Sequence, residues 1–225
     1  MAVWTRTRSV TVAAGVVLAA ALLPVPASGS EHRDVDQSRL QPPLLERFAP
    51  WDCTMKQSGP VCTGEGHYSG DREMTDLPCS VPVWGARTEH RYQTLFFDHD
   101  YRNYYRRNRT NEVDAFSTSP DGPTTGSVST TARYFYTYGV PGDLDTVTIT
   151  TSGVIWDLRP AHGPAIFRAV GTLVEPAGQV PTFSGRVTID GEGTNYQDVP
   201  LDSFLTDERF VNWLCRATTG APAVL

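Results

Sequence analysis

Four side chains capable of binding or proton transfer recur at alternate positions of two strand-like runs: His90 and Tyr92 in 87–97, Tyr134 and Tyr136 in 128–138. An imidazole ionises near neutral pH and can act as a general base, while a phenol can donate and accept hydrogen bonds to a bound molecule. Base chemistry at His90 would need a carboxylate or hydroxyl within about 3 Å of the ring, delivered from across the fold. Nothing near His90 in the chain supplies a nucleophile or an orienting carboxylate. Ser129, Ser152 and Ser184 lack a nucleophile-elbow context, so nucleophilic catalysis has no candidate. The four residues are therefore read as lining a small-ligand site. An extracellular enzyme using His90 as base is the weaker alternative.

Two other clusters carry charge. Asp98-His99-Asp100 places three metal-ligand types in a row, but neighbours on a strand point to opposite faces, so only the two aspartates could share an ion, and the segment reads as a solvated turn. Residues 101–109, Tyr-Arg-Asn-Tyr-Tyr-Arg-Arg-Asn-Arg, form a basic and aromatic run. It could stack on sugars or serve a surface interaction module with an unknown protein partner, though pairing with Glu89 and the turn aspartates is the simpler expectation. No metal site and no cofactor are expected: the cysteine spacings fit no zinc finger, and His67 stands alone in the sequence.

The chain opens with Arg6 and Arg8, an apolar run over 10–25, and small residues ending at Ala27. Interrupted by Pro24 and Pro26, that run is too short to span a bilayer and reads as a secretory signal peptide covering residues 1–27. Its removal leaves 17 basic against 25 acidic side chains, a charge of about −8. Bulk electrostatics then exclude nucleic acid and anionic membrane as partners, and no membrane anchor remains. Residues 28–43 read as a flexible tail and 44–220 as a single β domain. All four cysteines fall in the exported part, where an even count implies two disulfides. Ser58-Gly59-Pro60 lies between Cys53 and Cys62, so that pair is expected to close over a turn, leaving Cys79 for Cys215.

These groups must be held by strands. In 87–97, Arg87, Glu89, Arg91 and Gln93 alternate with Thr88, His90, Tyr92 and Thr94, a period of two; the charged set is read as facing water and the ring-bearing set as facing the interior. Strands are expected at 45–52, 61–68, 80–97, 103–116, 128–138, 145–158 (one bent strand or a tight hairpin), 165–175 and 183–190, with turns between them and no room for a crossover helix. A short helix should start after Thr206 and close at Gly220, with Asp207 and Glu208 in its first turn. About eight antiparallel strands joined in order describe an all-β up-and-down meander. Closure into an eight-stranded barrel with a C-terminal helix removes the sheet edges most economically, and a two-sheet β-sandwich is the alternative.

Taken together, Cys53-x8-Cys62, Cys79-Ser-Val-Pro-Val83, Tyr138-Gly-Val-Pro-Gly-Asp143 and Gly153-Val-Ile-Trp156 resemble small secreted β-proteins of actinomycetes that carry no assigned function. The resemblance implies export and an all-β fold, and it brings no catalytic residues. The layout is more remotely similar to lipocalin-type barrels, which hold small apolar ligands. The chain lacks the Gly-x-Trp of that group, since Ala49-Pro50 precedes Trp51.

Overall fold

A computed structural model of the chain describes residues 34–224. The expected signal peptide lies outside the described residues. Ten strands form one antiparallel sheet: β1 (Asp52–Lys56), β2 (Gly59–Ser69), β3 (Glu73–Met74), β4 (Trp84–Phe97), β5 (Asn103–Ser117), β6 (Gly126–Tyr138), β7 (Val147–Pro160), β8 (Phe167–Glu175), β9 (Thr182–Ile189) and β10 (Glu192–Pro200). Neighbours follow chain order from β1 to β10, except that the two-residue β3 pairs only with β4, beside β2. The meander is as expected, while the closed barrel is not: β1 and β10 do not pair, and the sheet is open.

Each edge is protected by its own chemistry, which removes the reason for closure. β10 carries Glu192, Asn195, Gln197 and Asp198, shifts register between Tyr196 and Val199, and ends in Pro200, all of which discourage further pairing. β1 has only five residues. Next to it, residues 46–51 lie on β2. Gly66 leaves a place for the Phe48 ring, since a Cβ there would sit 2.5 Å from Phe48 Cδ1, and Gly64 leaves one for Trp51. Glu46–Phe48 is a single 3-10 turn and not part of the strand expected at 45–52; the first strand starts at Asp52, past Pro50. Part of the expected tail is also docked, for Leu40 is buried and Gln41 exchanges backbone hydrogen bonds with Tyr101 and Asn103.

One face of the sheet is covered. Val128, Leu158, Phe167, Leu173, Phe183 and Val187 project from it into a core shared with helix α1 (Asp207–Thr219), which contributes Trp213, Leu214 and Ala217. Thr206 caps this helix by accepting from the Arg209 N–H at 3.3 Å, and Gly220 ends it in the left-handed region at φ 77°, as the sequence leads one to expect. A smaller cluster of Leu40, Cys62, Leu95 and Phe97 lies at the β2–β4 end. The bonds Cys53–Cys62 and Cys79–Cys215 match the expected pairing. The first joins residues directly opposed on β1 and β2; the second ties α1 to the segment before β4, where Cys79 also bridges Ala223. The run 145–158 is one strand, with Gly153 at φ 129° and a register shift at Val154/Trp156. Among the described residues, no helix is long and apolar enough to cross a membrane.

Candidate functional site

The alternation along β4 is real, but its two faces are the reverse of the expectation. Gln93, Leu95 and Phe97 are buried, Glu89 and Arg91 share their face, and Tyr92 on the other face is 45% exposed. The charged side chains of β4 on the covered face are paired: Arg91 meets Glu89, while Arg87 reaches Glu112 at 2.9 Å and Asp114 at 2.8 Å. On β6 the expectation holds, since Tyr134 and Tyr136 lie on the covered face with Val128 and Ala132. The four predicted ligand residues thus divide into two places on opposite sides of the sheet.

On the covered face, Arg106 of β5 lies opposite Tyr136 of β6, which lies opposite Ile149 of β7. The Arg106 guanidinium stacks on the Tyr136 ring, with Cζ 3.7 Å from its centroid. Arg106 Nε is buried without a hydrogen-bond partner, and among the described residues no carboxylate pairs with this side chain. Beside it opens a cleft of about 420 Å³ lined by Tyr136, Tyr138, Leu144, Val147 and Ile149, with Asp145 and Gly178 also on its wall. Leu144 is 61% exposed at the mouth, an apolar side chain left facing water.

Deeper along that face the sheet carries a band of buried polar groups. Asn108, Thr110 and Thr151 are each nearly or fully buried, and each has a side-chain oxygen with no partner. Tyr134 lies opposite both Asn108 and Thr151, and its phenol is pushed up to about 12, chiefly by burial and then by Glu112 and Tyr136. Burial likewise raises Glu112, against the pull of Arg87. A phenol with its folded-state pKa above the unfolded value near 10 holds its proton longer in the folded chain, so its stabilising contribution is complete below pH 10 and is lost between pH 10 and about 12. An alkaline titration followed at 295 nm should show a late-ionising tyrosine that is missing in Tyr134→Phe, and this variant should lose less stability over that window than the parent.

On the outer face, His90 and Tyr92 meet two residues of β2. His67 is directly opposite His90, and Glu65 is directly opposite Tyr92. Glu65 Oε1 is 2.6 Å from His90 Nε2 and 3.1 Å from His67 Nε2. The two imidazoles stack with centroids 4.0 Å apart and planes 14° apart, and the Tyr92 ring is 4.6 Å from His90. Hydrogen bonds from His90 and then Tyr92 hold the Glu65 carboxyl below the usual carboxylate range, and Glu65 in turn raises the Tyr92 phenol. The reading that His67 stands alone is therefore corrected. A carboxylate does come within reach of the His90 ring, from across the fold, as base chemistry at His90 would need.

The remaining candidates separate. Asp98 Oδ1 accepts from the backbone N–H groups of Asp100 and Arg102, at 2.9 and 2.8 Å, and Arg102 pairs with both aspartates, which makes 98–102 a self-satisfied turn. The run 101–109 is split by strand alternation: Arg106 faces the cleft, while Arg107 and Arg109 join Arg133, Tyr92 and Phe135 around an outer-face groove. Comparisons with protein-family models, with curated proteins and with solved structures gave no match, so these two arrangements have only their own geometry and chemistry to speak for them.

Proposed function

We propose that this is an exported, disulfide-stapled binding protein that holds a small apolar molecule bearing one carboxylate in the cleft beside Arg106. The observation that carries this reading is a half-buried guanidinium, stacked on Tyr136 and with its Nε buried and unpartnered, at the edge of an aromatic and aliphatic cleft. A buried donor without a partner is costly, and an incoming carboxylate would satisfy it with a charge-assisted hydrogen bond. The cleft volume lies within the range of small-ligand sites, and its lining is mainly aromatic and aliphatic, with Arg106 as its cation and Asp145 as its carboxylate. Two disulfides support export, as does the apolar run over 10–25 behind Arg6 and Arg8.

The test is a nuclear magnetic resonance titration with octanoate and with octanol. Octanoate should shift resonances of Arg106, Tyr136, Tyr138, Leu144 and Ile149, and should bind roughly tenfold or more tightly than the alcohol, the difference expected of one hydrogen bond to a charged group. Arg106→Met keeps an apolar stem over Tyr136 and should erase that preference. Shifts mapping elsewhere, or a preference that survives Arg106→Met, would remove the reading.

A further inference from the structure

The outer-face cluster lies on the side of the sheet away from the cleft and does not depend on what the cleft binds. We propose that Glu65, His67 and His90 form a three-ligand site for a divalent transition metal, zinc or copper, with Tyr92 positioning the carboxylate. Two residues from each of two antiparallel strands build it. Glu65 and His67 are two apart on β2 and therefore share a face; His90 and Tyr92 do the same on β4, and the register sets the two pairs directly opposite each other. The backbone hydrogen bonds of the β2–β4 ladder hold all three ligand-bearing residues, so the site is built on rigid elements and not on a loop.

The donor atoms converge. One carboxylate oxygen and two imidazole nitrogens all lie within 4.8 Å of one another, and both nitrogens are directed at the same oxygen. Without an ion Glu65 Oε1 can accept an N–H from each ring; a dication at the common point would replace both protons and bind all three donors directly. Zinc held tetrahedrally at about 2.1 Å sets its donors about 3.4 Å apart. The His67 contact is already close to that, and the His90 contact has to lengthen by under an ångström. The side chains have room to do so, being 69% exposed for His67, 43% for Glu65 and 32% for His90.

Two imidazoles and one carboxylate favour zinc, copper or nickel over calcium and magnesium, which take all-oxygen shells. Three protein ligands on an open face leave a coordination position to solvent, and so to a further donor from another molecule. Tyr92 lies directly opposite Glu65 in the ladder with its ring 4.6 Å from His90, placed to act as the outer partner that orients a metal-bound carboxylate.

Calorimetry of the untagged, oxidised chain with zinc chloride should give one ion per chain. His67→Gln, His90→Gln and Glu65→Gln should each abolish that event, while Tyr92→Phe should weaken it roughly tenfold. All four positions are on the sheet surface, and circular dichroism of each variant checks that the fold is kept. Copper(II), being paramagnetic, should broaden amide resonances around 65–67 and 90–92 ahead of others. A His99→Gln/His162→Gln control should bind as the parent does. The proposal is overturned if stoichiometric binding survives His67→Gln and His90→Gln together, or if the parent chain binds neither ion.

Discussion

Cys215→Ser should cost about 5 kcal/mol of unfolding free energy, against about 3 kcal/mol for Cys62→Ser, because the loops that the two bridges close differ so much in length. Cys79 and Cys215 are 136 positions apart, whereas Cys53 and Cys62 are nine apart. Cys215 is fully buried on α1, whose other anchors are apolar contacts of Trp213, Leu214 and Ala217 with the sheet and the two-pronged bond of Arg216 to Asp190. Removing the bridge should therefore loosen the helix first, and the C-terminal segment that bridges Cys79 through Ala223 should loosen with it. Urea unfolding of the two variants, with amide exchange over 207–219, measures both effects. Equal losses would mean that loop length does not govern the stabilisation here. A protected helix in Cys215→Ser would show that packing and the Arg216–Asp190 pair dock it without the bridge.

Phe167→Ala should be the most damaging single truncation in the core, at about 4 kcal/mol. The ring is fully buried at the junction of sheet and helix. It stacks on Trp213 with centroids 4.7 Å apart and meets Phe210 edge-on at 6.2 Å, so its loss leaves a cavity bounded by two aromatic side chains of α1. Val170, three residues along the same strand but on the outer face, is 36% exposed, and its truncation to alanine should stay within about 0.5 kcal/mol. Thermal or urea unfolding of the pair, read by circular dichroism, gives the contrast. A cost for Phe167→Ala under about 2 kcal/mol would indicate that the helix collapses onto the sheet to fill the space.

What was legible in the chain was local. Turn chemistry at Ser119-Pro-Asp-Gly-Pro123 and Val140-Pro-Gly-Asp143 bounds β5, β6 and β7 close to where they lie, and the Thr206 cap with Gly220 bounds α1. β10 was not legible: Glu192–Pro200 has no apolar alternation, because an edge strand with both sides largely in water has no dry face to encode. Period two in β4 shows that two faces exist but not which is covered. That choice depends on Phe48 and Trp51 packing over Gly66 and Gly64, and on charges such as Arg87 and Glu112 that become tolerable only when paired across strands. The metal cluster was hidden for a related reason. His67 and His90 are 23 positions apart and become neighbours only through the β2–β4 register, which no window of sequence displays.

The two bridges also differ in when they can form. A polypeptide is made from its N-terminus, so Cys53 and Cys62 appear almost together and can close within one hairpin. Cys79 must stay reduced, or be paired wrongly, until nearly the whole sheet has followed it. Its nearest rival partner is Cys62, only 17 positions away, and early closure of the first hairpin takes that rival out of circulation. Once Cys53–Cys62 is closed, the only thiol left for Cys79 is Cys215, which follows it by 136 positions. The short bridge can thus close inside one hairpin, whereas the long one needs every strand of the sheet to have been made first.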